Sequence, residues 1–201
     1  MSTAPVDFYF EFSSPYGYIA SGLVDEVGQR LGREIRWRPF LLGPVFKATG
    51  GAPLVDIPMK GEYSRHDFSR SARYHGVPFA IPPKFPIGTV PPVRAFYWQH
   101  ERDPAQARKL AKDLYGAYFV DGRDIGDAKT VLEVARDSGS DAAALEAALA
   151  DAGLKERAKA EVDAAIARGV FGSPFFIVDG EPFWGCDRIP MMEAWVKRGG
   201  W

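Results

Sequence analysis

Short apolar runs typical of strands lie near both ends of the chain, and helical patterns fill the middle. Val6 to Phe12 is an aromatic run that ends at a Ser-Ser-Pro turn, which predicts a strand followed by a tight turn. Tyr16 to Leu31 has the pattern of a helix. In Glu34 to Arg38, period-two alternation places Ile35 and Trp37 on one face of a second strand. The first forty residues therefore predict a β-α-β unit.

Prolines separate this unit from the helical middle. Ten of the 16 prolines lie between Pro39 and Pro92, and each fixes φ and removes an N–H donor, which predicts loop with short helices there. Asp103-Pro104 suits the first turn of a helix that continues to Tyr118. Asp127 begins another helical pattern. The alanine-rich stretch 141–167 predicts two further helices that break near Gly153.

Strand patterns return near the carboxyl terminus. Phe175 to Val178 and Glu181 to Trp184 flank Asp179-Gly180, and a turn of this type predicts a β-hairpin. Asp187 is expected to cap a last helix that ends before Gly199-Gly200. The predicted order is therefore β-α-β, a mainly helical block, and then β-β-α.

Composition and charge exclude several classes of protein. Twenty-five Lys and Arg residues against 26 Asp and Glu residues leave a net charge of −1 without charge blocks, so we expect no nucleic-acid or membrane partner. The longest uncharged stretch, Phe12 to Val24, is shorter than the roughly 20 residues of a membrane span. No basic residue precedes Arg30, unlike in a signal peptide. The one cysteine, Cys186, excludes an internal disulfide and favours a reducing cytoplasm.

Several segments together resemble a known family. They are Asp7 to Tyr16, Phe40 to Gly50, Pro58 to Gly61, Phe171 to Pro174 and Trp184 to Arg188. From about residue 6 to 198 the chain resembles the 2-hydroxychromene-2-carboxylate isomerases, which belong with the kappa-class glutathione transferases in the DsbA-like group. The resemblance implies an α/β, thioredoxin-like fold with an inserted all-helical domain. We expect residues 1–59 and 169–201 to form the thioredoxin-like domain and residues 60–168 the inserted one.

Ser14 lies where the first strand passes into a helix, and a helix amino terminus favours negative charge. Dithiol exchange is excluded at this turn because Ser14-Pro15-Tyr16-Gly17 contains no cysteine. The resemblance implies that glutathione supplies the thiol and that the Ser14 hydroxyl donates a hydrogen bond to its sulfur. Alternatively, Ser13 and Ser14 are simply a helix-capping pair, or Ser13 carries the working hydroxyl.

The resemblance also implies further glutathione contacts. A cis bond at Ser173-Pro174 would let the Ser173 backbone pair with the ligand, although an ordinary trans proline at an edge strand is the alternative. Asp187 is expected to pair with the γ-glutamyl ammonium as well as to cap its helix. The remaining expected contacts are Lys60, Trp184, Gly185 and Cys186, the last of which, judged alone, is a small packed residue.

A carboxylate substrate would need a cation, and the resemblance assigns Lys47 and Arg94 to it. A solvated loop lysine is the alternative for Lys47. The family commonly has Asn where this chain has Gly51, which removes one donor. An aromatic run at residues 96–98, with Phe79 and Phe85, predicts either a cleft for a flat ligand or plain core. The three histidines, at positions 66, 75 and 100, are too scattered to predict a metal site.

The resemblance implies a glutathione-dependent cis-trans isomerase that interconverts 2-hydroxychromene-2-carboxylate and trans-o-hydroxybenzylidenepyruvate in bacterial aromatic catabolism, acting as a homodimer on a small aromatic carboxylate. A kappa-type transferase that conjugates electrophiles would use the same thiolate without subsequent elimination. A non-catalytic, peptide-binding DsbA-like protein is the alternative from a different class.

Overall fold

A four-stranded mixed sheet forms the centre of the fold in the computed structural model, which describes residues 3–201. The strand order is β2-β1-β3-β4. β1 pairs in parallel with β2 and antiparallel with β3, and β3 and β4 form the predicted hairpin. The strands are β1, Val6–Phe10; β2, Ile35–Pro39; β3, Phe175–Val178; and β4, Glu181–Trp184.

Helices connect the strands in the predicted order of β-α-β, helical block and β-β-α. Two short 3₁₀ turns cover Leu54–Asp56 and Cys186–Arg188. Within residues 3–201, no helix is both long and apolar enough to cross a membrane. The α-helices are α1, Pro15–Leu31; α2, Leu42–Thr49; α3, Lys60–Tyr74; α4, Val90–His100; α5, Pro104–Phe119; α6, Ala128–Ser138; α7, Ala142–Leu149; α8, Ala152–Ala167; and α9, Ile189–Arg198.

Aspartate residues determine where the helices of the middle block begin. Asp103, Asp127, Asp141 and Asp151 each accept hydrogen bonds from backbone N–H groups in the first turn of the helix that follows. Asp151 therefore begins α8 two residues before the predicted break at Gly153, which lies inside the first turn. The prediction of two helices in this stretch is confirmed, but their boundary is set by the carboxylate cap.

The prediction that Asp187 caps the last helix is wrong. Asp187 lies inside the 3₁₀ turn, and α9 starts two residues later, at Ile189, with no side-chain cap. Pro190 in the first turn of α9 has no N–H to satisfy, so the demand for a cap is smaller. The Asp187 carboxylate instead forms an exposed ion pair with Arg188, at 2.8 Å.

Two hydrophobic cores cover the two faces of the sheet. On one face, Ile35 and Trp37 are buried with strand phenylalanines against α1, α4, α5 and α9. On the other face, Tyr9 and Phe175 pack against α8. Phe96, Tyr97 and Trp98 of α4 are buried in the larger core, so the core interpretation of this aromatic run holds. This core continues from the sheet into the helices, and the domain boundaries remain a prediction.

Gly17 allows the start of α1 to approach its neighbours closely. A Cβ atom at this position would lie 2.7 Å from Ser173 Oγ and 2.8 Å from Tyr115 Oη. By contrast, a Cβ atom on Gly22 of the same helix would meet only Val77 Cγ2, at 3.5 Å. Position 17 therefore has no room for a larger residue, whereas position 22 is exposed and has room for one.

We expect Gly17→Ala to lower the free energy of unfolding by about 1–3 kcal/mol, because the added methyl group overpacks this contact. Gly22→Ala should raise it by up to about 1 kcal/mol, since alanine favours a helix. Urea unfolding of both variants checks this. Equal effects of the two substitutions would contradict the packing argument.

Candidate active site

Ser14 joins the end of β1 to the start of α1. Its Oγ accepts a hydrogen bond from the Gly17 N–H at 3.1 Å and donates one to the Ser173 carbonyl at 3.0 Å. Ser14 is thus the N-cap of α1, as the simpler interpretation predicts. The same hydroxyl contacts the loop at Ser173, so two predicted site residues lie together. Because the first turn of α1 has no acidic residue, the positive end of its dipole is not neutralised there.

The Ser173-Pro174 peptide bond is cis, as the family resemblance implies. Ser173 Oγ accepts the Glu11 N–H at 2.9 Å, and the Pro174 carbonyl accepts the Gly185 N–H at 3.0 Å. Gly185 has a φ of 110°, which only glycine adopts readily. Within residues 3–201, the Ser173 N–H donates no hydrogen bond to the protein. This donor therefore remains available beside the Ser14 turn.

Trp184 forms an aromatic wall beside the cis-proline loop. Its side chain is half exposed and meets Phe171 edge to face, with ring centroids 4.9 Å apart. A Cβ atom on Gly172 would lie 2.4 Å from Trp184 Nε1, so the indole covers the glycine directly. Cys186 is buried, and burial followed by the nearby Asp187 carboxylate raises the pKa of its thiol to about 11. A thiol in this state is a packed residue and a poor nucleophile.

Helix α3 approaches the Ser14 turn through a hydrogen bond from the Tyr16 hydroxyl to Asp67 Oδ2, at 2.5 Å. Burial followed by this hydrogen bond raises the Tyr16 pKa, so the phenol stays protonated. Lys60 is the first residue of α3 and is exposed. Its N–H donates to the Pro58 carbonyl at 2.8 Å across Met59, which has a φ of 66°. This γ-turn sets the direction in which α3 begins.

The two cations assigned to the substrate lie on different elements. Lys47 is in the last turn of α2, so the predicted loop around it is wrong and the lysine projects from a helix. This helix follows β2. Since β1 and β2 are parallel, the helix begins at the carboxyl ends of these strands, where Ser14 also lies. Lys47 is exposed. Arg94 lies on α4, and its guanidinium donates to the Leu149 carbonyl at the end of α7, at 3.3 Å.

Glu11, which the sequence analysis did not single out, links the Ser14 turn and the cis-proline loop to the helical block. Its backbone N–H donates to Ser173 Oγ, and its carbonyl accepts the Ser14 N–H and the Tyr115 hydroxyl, both at 2.9 Å. Its carboxylate accepts the Ser13 N–H at 2.8 Å and the Thr89 hydroxyl. The available signal was an acidic residue between Phe10 and Phe12, since a carboxylate inside an aromatic run is rarely buried without partners.

Burial raises the pKa of the Glu11 carboxyl to about 7 from an ordinary value of 4.5, although the Thr89 and Ser13 hydrogen bonds oppose the rise. This carboxyl is 5% exposed. The Ser13 hydroxyl accepts the Ile87 N–H at 3.1 Å and so faces the segment before α4. Of the two adjacent serines, Ser14 faces the cis-proline loop and Ser13 faces the helical block.

The Ser14 turn combines a helix amino terminus, a hydroxyl and an open backbone donor in the place where thioredoxin-type proteins carry a dithiol. Such a turn can hold an anion such as a thiolate, but it contains no sulfur of its own. Within residues 3–201, no three His, Cys, Asp or Glu side chains are grouped to hold a metal ion. Fold and site together define a thioredoxin-fold protein that has no dithiol at this turn.

Comparisons with known proteins agree with this class. The model of the DSBA-like thioredoxin domain matches residues 5–197. A 2-hydroxychromene-2-carboxylate isomerase of Sphingobium xenophagum is 31% identical over 96% of this chain and 98% of that protein. Glutathione S-transferase kappa 2 of Caenorhabditis elegans is 29% identical over 95% of this chain and 91% of that protein. A solved 2-hydroxychromene-2-carboxylate isomerase superposes with a TM-score of 0.86, at 30% identity over 96% and 94% of the two chains.

The chain therefore belongs to the DsbA-like thioredoxin family, in the group that contains the 2-hydroxychromene-2-carboxylate isomerases and the kappa-class glutathione transferases. Its thioredoxin-like α/β fold, expected from the resemblance, is confirmed.

We expect Glu11→Gln to flatten the pH dependence of stability. Since the Glu11 pKa is higher in the folded protein, the folded state binds more protons, and this stabilisation is lost as pH rises from about 4.5 through 7. The loss amounts to on the order of 3 kcal/mol in the natural protein and should be absent from the variant. Urea unfolding at pH 4.5 and pH 8 measures it. Parallel pH profiles for the two proteins would contradict the assignment.

Proposed function

We propose that this protein is a glutathione-dependent isomerase that interconverts 2-hydroxychromene-2-carboxylate and trans-o-hydroxybenzylidenepyruvate in a reducing cytoplasm. The observation that carries the proposal is a serine hydroxyl at the amino terminus of α1, facing a cis-proline loop, where a dithiol would otherwise lie. This turn contains no sulfur but can stabilise a thiolate, which suits an enzyme that takes its thiol from bound glutathione. Relatives that carry the isomerase name match almost the whole chain.

The residues present fit glutathione. The Ser173 N–H, which has no acceptor within residues 3–201, can pair with the cysteinyl backbone of the ligand, as an edge strand pairs with a peptide. The Asp187 carboxylate does not cap α9 and forms an exposed ion pair with Arg188, so it can meet the γ-glutamyl ammonium. Lys60, exposed at the start of α3, is available for a carboxylate. Trp184 would cover one side of the ligand.

When bound, glutathione would supply a thiolate that adds to the conjugated carbon of the ring-opened substrate and leaves after the bond has rotated. Ser14 has one hydroxyl proton, which it donates to the Ser173 carbonyl. To stabilise a thiolate, this proton must change its acceptor from that carbonyl to the sulfur, while the Gly17 N–H still fixes the oxygen. The α1 dipole acts on the same charge.

Lys47 is proposed to hold the substrate carboxylate and to stabilise negative charge that develops on the substrate. It lies in the last turn of the helix that begins at the same end of the sheet as the Ser14 turn, and it is exposed. A second cation, Arg94, remains a weaker assignment because its guanidinium is bonded to the end of α7. Gly51, which lies just after α2, lacks the side-chain donor that the family commonly has there.

The test is the ultraviolet absorbance of 2-hydroxychromene-2-carboxylate mixed with the protein, with and without glutathione. We expect a glutathione-dependent approach to equilibrium with the free thiol concentration unchanged. Consumption of thiol would instead indicate a kappa-type transferase, the second candidate, which the 29% identical relative of that name supports. No dependence on glutathione at all would overturn both and favour a peptide-binding role.

We expect Ser14→Ala to reduce glutathione-dependent kcat by about 100-fold or more, since it removes a donor to the reacting sulfur. The matched variant Ser13→Ala should keep most of its kcat, because the Ser13 hydroxyl faces Ile87 and not the cis-proline loop. Steady-state kinetics of both variants, with circular dichroism to check folding, measure this. A larger loss of kcat in Ser13→Ala than in Ser14→Ala would indicate that Ser13, and not Ser14, donates the hydrogen bond to the sulfur.

Lys47→Gln and Lys60→Gln should show which lysine binds the aromatic carboxylate and which binds glutathione. We expect Lys47→Gln to raise the KM for the aromatic carboxylate about tenfold, and Lys60→Gln to raise the KM for glutathione by a similar factor. Each variant should leave the other KM nearly unchanged, because the two lysines lie on different helices. Kinetics with each ligand varied in turn measure both constants. Equal effects on both constants would contradict the separate assignments.

A further inference from the structure

A cavity of about 350 Å³ lies at the free edge of the sheet and shares no lining residue with the candidate active site. β2 forms one wall, and residues from α4, α5 and α8 form the others. Apolar surface comes from Ile35, Trp37, Tyr97 and Pro104, and the remaining lining residues are charged or histidine. The cavity is therefore both polar and partly aromatic.

Backbone groups of β2 face this cavity. The Glu34 carbonyl and the Phe40 N–H pair with β1, so the odd-numbered residues between them turn their backbone groups away from the sheet. Ile35 and Trp37 thus present N–H and C=O groups at the edge, and within the described residues 3–201 these have no protein partner. A buried or half-buried edge of this kind needs polar partners.

One guanidinium in the wall has no ion pair within the described residues. Arg36, Arg38, Arg108 and Arg157 all line the cavity. Three of them have carboxylate partners: Arg36 with Glu34, Arg38 with both Asp7 and Glu161, and Arg157 with Glu101. Across residues 3–201, Arg108 of α5 forms no ion pair. Glu34 and Glu161 also line the wall, and each is paired with an arginine, so Arg108 is the guanidinium left for a single negative charge.

Unpartnered buried nitrogens cluster in the same wall. Trp37 Nε1, His100 Nδ1 and Arg157 Nε lack hydrogen-bond partners, and only one other buried side-chain polar atom of the described chain does. Buried polar groups are normally satisfied, so these three exceptions mark the wall of this cavity as the region of the described chain where buried side-chain polar groups are least satisfied.

We propose that this cavity binds a small monocarboxylate with an apolar body, held by Arg108 and by the outward N–H groups of β2. The planar guanidinium can pair with both carboxylate oxygens, while Trp37, Tyr97 and Pro104 contact the apolar part. A strand-adding peptide fits less well, because the outward carbonyl of Pro39 already accepts the Tyr97 hydroxyl at 2.7 Å and proline has no N–H. Only a short length of edge remains open.

The test is titration of the full chain with benzoate, followed by the backbone amide resonances of Ile35 and Trp37. We expect both to shift saturably, with acetate and inorganic phosphate binding more weakly because they lack an apolar body or carry excess charge. Arg108→Gln should weaken benzoate binding by about tenfold or more. Arg136→Gln, which removes the same charge from an exposed position in α6, is the control and should bind as the natural protein does.

Unmoved amides at the solubility limit of benzoate, or equal loss of binding in both arginine variants, would overturn the proposal. Phosphate binding tighter than benzoate, or shifts induced only by an extended peptide, would overturn it as well. Arg108→Gln should leave glutathione-dependent turnover unchanged, so the outcome is independent of the proposed function.

Discussion

The site depends on a buried carboxylate at the end of β1. Glu11 donates or accepts hydrogen bonds at its backbone N–H, its backbone carbonyl and its side chain, and these join the Ser14 turn, the cis-proline loop, α5 and the segment before α4. Burying a carboxylate is costly unless its hydrogen bonds are made. The carboxyl is bonded by the Ser13 N–H and the Thr89 hydroxyl, and the backbone N–H of Glu11 is bonded by Ser173 of the cis-proline loop, so movement of any of these segments would leave a polar group of Glu11 without its partner. The hydrogen bonds of Glu11 therefore fix the Ser14 turn and the cis-proline loop relative to each other.

Chain topology brings the Ser14 turn, the start of α2 and the cis-proline loop to the same end of the sheet. β1 and β2 are parallel, so the elements that follow them, which carry Ser14 and Lys47, begin at the same side of the sheet. β3 is antiparallel to β1, so the cis-proline loop that precedes β3 also reaches this side. Gly17 permits the final approach, since any Cβ there would collide with Ser173. One hydroxyl then serves as helix cap and as a contact to the cis-proline loop, a dual use that the capping interpretation alone does not reveal.

Predictions from local chemistry succeeded where a single residue decides the structure. Asp103-Pro104, the Asp179-Gly180 turn and the strand alternation at Ile35 and Trp37 gave elements that the structure contains. The failures were at ends that depend on neighbouring elements. Asp187 looked like a cap, but a 3₁₀ turn at Cys186–Arg188 shifted the start of α9. The segment around Lys47 looked like a loop because of its glycines and proline, yet it forms α2.

The sequence by itself determined the order of the elements, the absence of a dithiol at the Ser14 turn and the family, because these depend on local patterns and on residue types. Only the tertiary structure decided that Glu11 is the common partner of four separate segments and that Ser14, not Ser13, faces Ser173. It likewise decided that the aromatic run in α4 is core. These outcomes depend on contacts between residues that are far apart in sequence, such as the hydrogen bonds that join residues 74 to 162 positions apart. The position of a carboxylate or hydroxyl in the sequence does not identify such a distant partner, because the two groups meet only when the chain has folded.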